Sequence, residues 1–141
     1  MSVNFIGVDK IIGSLTHFID IQKTEMAVHK ACTLVERTAK IKAPKGNGDL
    51  RRSITSKIER DGDDVRGIVY TPLEYAPYVE YGTGLFAEKG DGRKDVPWHY
   101  QDDEGEWHST SGQNPMPFLR PALDANREQI KRILREELTN D

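Results

Sequence analysis

Four histidines stand in the chain, His17, His29, His99 and His108, and two of them have a spacing that could do chemistry. His99 and His108 flank Asp102-Asp103-Glu104-Gly105. A four-residue hairpin turn there would set the two imidazoles opposite each other, where a metal could bridge them. No cysteine or paired carboxylate completes a ligand set at a recognisable spacing. Two exposed hairpin histidines are therefore the simpler reading, and no metal is assigned. The acid clusters Asp61–Asp64 and Asp102–Glu106 lack the Asp/Asn alternation and closing Glu of a calcium loop, and read as turns. Gly46-Asn47-Gly48 follows a lysine but has no strand–loop–helix context, so a phosphate cradle is not expected. Gly-x-Ser-x-Gly and His-Glu-x-x-His do not occur. The expectation is no catalytic residue and no cofactor.

Partner chemistry is more informative. Residues 21–60 hold ten Lys and Arg against Glu25, Glu36, Asp49 and Glu59, a net charge of +6. Residues 61–111 hold four bases against twelve acids, a net charge of −8. Such polarity suits one part of a subunit facing the opposite part of a neighbour; two solvated faces are the alternative. The basic run Lys40, Lys42, Lys45, Arg51 and Arg52 could touch phosphates, but no interleaved aromatic residues offer stacking on bases. The whole chain is at −3 and is no generic DNA binder. Cys32 is the only cysteine, which excludes an internal disulfide. No apolar run reaches the length of a membrane span, and the N-terminal residues do not read as a signal peptide. Synthesis in cytosol and no membrane partner are expected.

The elements that must position these residues read as α+β, with N- and C-terminal amphipathic helices packed on a small antiparallel sheet and a long loop or hairpin insertion. Ile11, Ile12, Leu15, Phe18 and Ile19 give a helical pattern over residues 8–23, with Asp9 placed to cap it. A helix from about Lys23 to Lys42 follows, its apolar side being Ala27, Ala31, Leu34, Val35, Thr38 and Ile41. Pro44 ends it. A strand is expected from Leu50 to Arg60, so that Arg51 and Arg52 begin it. Asp61-Gly62-Asp63-Asp64 reads as a hairpin turn and Val65–Thr71 as the return strand. Leu73–Tyr81 is irregular or a short helix. Residues 82–115 form a long glycine-bearing loop within a single domain spanning 1–141, and the aromatic residues near 98–108 suggest an ordered hairpin inside it. From Pro117 to Leu138 one stripe of Leu119, Ala122, Leu123, Ile130, Ile133, Leu134 and Leu138 reads as a single helix.

Three pieces, taken in order, carry a resemblance. The first runs from Ala39 to Ile54 and reads Ala-Lys-Ile-Lys-Ala-Pro, then Gly-Asp-Leu-Arg-Arg-Ser-Ile. The second is Tyr75-Ala76-Pro77-Tyr78-Val79-Glu80-Tyr81-Gly82-Thr83-Gly84. The third is Pro115-Met116-Pro117-Phe118-Leu119-Arg120-Pro121-Ala122-Leu123. Together, over about residues 25–138, they resemble a family of minor virion proteins of long-tailed bacteriophages, variously described as head–tail connector, neck, head–tail joining or tail-completion proteins.

The resemblance implies helices on an antiparallel sheet and a homo-oligomeric ring on the virion axis, between the head (portal or adaptor side) and the tail. It implies that adjacent connector and tail proteins are partners, that DNA passes through the channel without sequence recognition, and that the subunit is made in the host bacterial cytoplasm. A tail-terminator or other tail-associated role is the near alternative. A small DNA-binding accessory protein, or an enzyme with an unrecognised site, is the alternative of another class. Candidate interface residues are Arg51, Arg52, Tyr75, Tyr78, Glu80, Tyr81, Trp98 and Trp107, with Glu80 a possible carboxylate partner for the two arginines. The same residues could instead only fix the fold. Residues 88–106 carry seven acids against Lys89, Arg93 and Lys94, so Asp102, Asp103 and Glu104 are the expected tip of a channel-lining loop.

Overall fold

The computed structural model describes residues 2–4, 21–46, 48–62 and 64–139. It forms two compact units, residues 1–72 with 118–141, and residues 73–117. The fold is α+β: helices stand with two small antiparallel sheets. The helix expected before Ile21 lies outside the described residues.

In the first unit, β1 (Ser2–Asn4), β2 (Thr55–Asp61) and β3 (Asp64–Tyr70) form an antiparallel sheet of order β1-β3-β2. The β2–β3 pairing runs from Thr55 opposite Tyr70 to Asp61 opposite Asp64 and closes through a tight turn at Gly62, as the Asp-Gly signal predicts. Val65, Ile68 and Val69 of the central strand are buried. Against them lies α1 (Ile21–Lys42), whose buried side is Thr24, Ala27, Val28, Ala31, Cys32, Val35 and Ala39. Mostly small side chains on that side let the sheet approach the helix closely. The apolar stripe is therefore rotated from the one expected. Val28, Cys32 and Ala39 belong to it, Leu34 and Thr38 are half-buried at its margin, and Ile41 is 72% exposed.

Two further expectations are corrected. Leu50–Ser53 is not strand: α2 (Asp49–Ser53) is a short helix entered through Gly48. Gly48 has φ +86°, a left-handed angle that a side chain disfavours, and its carbonyl accepts from Arg52 N–H at 3.0 Å to close the first turn. The C-terminal stripe is two helices rather than one, α4 (Leu119–Ala125) and α5 (Arg127–Thr139). Asn126 makes the break. Its side-chain N–H donates to the Ala122 carbonyl at 2.7 Å and to Thr38 Oγ1 at 2.9 Å, which ties the bend to α1. Asn126→Leu is expected to lower stability by about 1–3 kcal/mol by removing those bonds. Chemical denaturation measures this, and an unchanged midpoint would show that the bend does not depend on them.

The second unit opens with α3 (Ala76–Tyr81), Pro77 in its first turn. A 3₁₀ turn at Gly84–Phe86 follows, and later a hairpin of β4 (Trp98–Gln101) and β5 (Trp107–Thr110). The ends of this long segment are stitched together. Thr83 and Gln113 exchange backbone bonds at 2.9 and 3.2 Å, Leu85 N–H donates to Ser111 at 3.0 Å, and Met116 N–H donates to Val79 at 2.8 Å. Glycines make the closeness possible. A β-carbon on Gly84 would sit 2.2 Å from the Ser111 carbonyl oxygen, and one on Gly112 would sit 2.1 Å from that of Thr83.

Candidate interaction surface

The aromatic residues singled out in sequence divide between a cleft and a hairpin. Pro77, Tyr78 and Tyr81 project from α3, and Trp98 from the start of β4, around a cleft of about 590 Å³ floored by Gly82, Gly84 and Gly92. All of its lining lies in the second unit. Arg93 stacks its guanidinium over Trp98 at 5.2 Å and Lys89 places its ammonium over Tyr81 at 4.7 Å. These cation–π contacts hold the rings while their outer surfaces stay accessible. Tyr78 is 60% exposed, and Tyr75, Leu85 and Phe86 near it in sequence are exposed as well. Trp107 is not part of the cleft lining. It lies on β5, paired with Gln101 and 71% exposed. Asp91 and Arg93 at the cleft entered the sequence reading only as part of the charge balance of residues 88–106, because in a loop without periodicity nothing marks which charges stand beside an aromatic group.

The charged candidates sit differently from their sequence reading. Arg51 and Arg52 lie on α2, where Arg52 pairs with Asp49 at 2.5 Å. Arg51 is half-buried, and its Nε is enclosed without a hydrogen-bond acceptor among the described residues. Glu80 is completely buried, a position in which a carboxylate requires hydrogen bonds or a cation.

At the hairpin tip the expected four-residue turn is five residues long, Asp102–Glu106. Gln101 pairs with Trp107, so Tyr100 faces His108 and His99 faces Ser109. The two histidines are therefore one residue out of register and do not face each other, which removes the bridged-histidine arrangement. The extra residue is accommodated by Asp102. Its Oδ1 accepts from the backbone N–H of Glu104 at 2.9 Å and of Glu106 at 2.8 Å, and its Oδ2 meets His108 Nε2 at 2.6 Å. His108 in turn stacks on Tyr100, ring centres 5.3 Å apart. Ligand atoms of Asp102, Glu106 and His108 fall within 4.8 Å of one another. The Asp102–His108 bond accounts for two of the three groups and Glu106 is an exposed acid at the turn, so the cluster carries no metal assignment. Asp103 and Glu104 are exposed at the tip; Asp102 is turned partly inward.

The His108 side chain, followed by the Glu106 N–H, holds the Asp102 carboxyl below its ordinary value of 3.8. A lowered folded value stabilises the turn fully above the unfolded value and loses that contribution as pH falls through the folded one. The NMR shifts of the Glu104 and Glu106 turn amides are thus expected to titrate with a midpoint below the ordinary carboxyl value of 3.8. Movement complete above pH 4.5 would contradict the bracing role of Asp102. Burial pushes the Cys32 thiol up to about 12, so it is unreactive at neutral pH.

Among the described residues no helix is long and apolar enough to cross a membrane. Residues 12–82 match the sequence profile of the HK97-gp10-like family, described as a candidate tail component of bacteriophage HK97. No curated protein and no solved structure matches the chain.

Proposed function

The chain belongs to the HK97-gp10-like family, and from that premise we infer that it is a ring-forming subunit joining head to tail. The membership itself makes it a structural, tail-associated component of a bacteriophage virion, with other virion proteins as its neighbours. The finer position is our reading: a homo-oligomeric ring on the particle axis, next to connector and tail proteins, with DNA passing through it. The observation that carries it is the distribution of exposed apolar side chains. Of the nine large ones exposed among the described residues, seven lie between Leu73 and Pro117. Apolar surface concentrated in this way marks a protein contact. No catalytic step or cofactor enters this reading.

Cryo-electron microscopy of particles carrying a tagged copy tests the position. Density for the chain as a closed ring between head and tail is expected; an off-axis or distal location would overturn the reading. A tail-terminator position would put the ring at the same end of the tail but leave joined particles dependent on another protein.

Charge pairing between copies is part of the reading. Arg51→Glu with Arg52→Glu is expected to lower incorporation into particles tenfold or more, with the helical circular-dichroism signal retained. Normal incorporation of a folded double variant would count against a role for α2 in assembly.

A further inference from the structure

The hairpin of β4 and β5 buries little of itself. Six of its eight strand residues are exposed, and two strands alone are marginal in water. Its register sorts the side chains. Trp98 is opposite Thr110 and Tyr100 is opposite His108, so these four share one face; His99, Gln101, Trp107 and Ser109 share the other. Trp98, on the first face, lines the cleft. Trp107, on the second, is 71% exposed. It also sits three residues further along the hairpin, about 10 Å at strand spacing. Trp107 therefore cannot enter the cleft of its own chain.

We propose that Trp107 of one copy of this chain docks into the Tyr78–Trp98 cleft of the next. The inference rests on the ring reading and names its interface. The chemistry of the cleft itself selects this occupant. Its volume of about 590 Å³ falls within the range of about 300–1,000 Å³ that encloses a small organic group. Pro77, Tyr78, Tyr81 and Trp98 supply apolar walls, and the glycine floor leaves depth for a large flat ring. The lining carries one carboxylate, Asp91, and one guanidinium, Arg93, while Lys89 stands on Tyr81. Two cations beside one carboxylate disfavour a basic occupant and attract the π face of an indole. Asp91 offers an acceptor to the indole N–H, the single polar group that such a ring must satisfy when buried. Gln101 and Ser109, which share the face of Trp107, are uncharged, so the contact places no unpaired ion beside its anchor. The cleft and Trp107 belong to opposite faces of one hairpin, so the contact is heterologous. Each copy offers one of each, and rotation closes the series into a ring.

Site-specific photocrosslinking tests it on assembled particles. A benzophenone amino acid in place of Trp107 is itself large and aromatic, and position 107 is exposed, so the fold of the subunit is retained. Illumination should give a ladder of covalent multimers of this chain, with the attachment point inside residues 77–98. The same probe in place of Tyr78 reads the contact from the other side and should attach to the peptide that holds Trp107. Attachment of either probe to a different virion protein, or of the first to this chain outside residues 77–98, overturns the interface. Trp107→Ala should lower incorporation at least tenfold while the free subunit keeps its helical circular-dichroism signal. Undiminished incorporation of that variant overturns the proposal even where neither probe enters particles. A ring seen on the axis with no attachment from either position overturns this interface and leaves the ring reading standing. Particles in which the chain forms no ring overturn both.

Discussion

Gly84→Ala is expected to cost about 3 kcal/mol or more and to undo the base of the second unit. Gly84 combines two demands. Its φ of +60° is a left-handed angle, and an added β-carbon would lie 2.2 Å from the Ser111 carbonyl oxygen and 2.7 Å from the Gly112 α-carbon. These are backbone atoms, so no side chain can swing aside. Gly90→Ala is the matched comparison. Its φ is +69°, but an added β-carbon there meets nothing within 4 Å. It carries the conformational penalty alone, about 1 kcal/mol. Hydrogen exchange of the amides of Thr83, Leu85 and Gln113 reads the difference. Strong loss of protection in the Gly84 variant and little in the Gly90 variant is expected. Small, equal losses in both would show that the two ends of the segment are not held by close packing.

The second large effect concerns the hairpin tip. Asp103→Lys with Glu104→Lys reverses two exposed charges and leaves Asp102, which braces the turn, in place. If the tip faces the axis of the proposed ring, joined particles should form in normal yield and eject DNA at least tenfold more slowly, because added cations bind phosphates that carboxylates repel. If the tip instead docks on an adjacent ring, unjoined heads and tails should accumulate. Ejection kinetics and electron microscopy of the same preparation separate the two. Normal ejection from normally joined particles would sink both placements. Including Asp102 in the substitution would spoil the test. Its loss would free the Glu104 and Glu106 amides and His108, and a collapsed turn would imitate a docking defect.

How far the sequence reached follows from which features are local. Pro44 ended α1 near where expected, and Asp61-Gly62 marked the β2–β3 turn, because a proline and a turn glycine act on neighbouring backbone alone. The hairpin near Trp98 and Trp107 was legible from its aromatic strands. Its register was not, since the fifth turn residue depends on side-chain bonds from Asp102. The α4–α5 break escaped because Asn126 interrupts no apolar spacing; its effect comes from Thr38, 88 residues earlier. The five residues of α2 are too few to show a period. Tyr78, Tyr81 and Trp98 were named as candidates from their residue types, yet their meeting in one cleft depends on glycine contacts between remote parts of the loop.

One property of the sheet bears on the protein before it reaches a particle. With the order β1-β3-β2, strand β2 lies at an edge, and an unpaired edge invites strands from other molecules. Here that edge is dressed with charge: Lys57 pairs with Glu59 at 3.1 Å, and Arg60 pairs with Glu25 at 3.4 Å. An incoming strand would have to strip water from these ions before it could bond to the backbone. An edge guarded in this way is a poor template for fibrous pairing between copies.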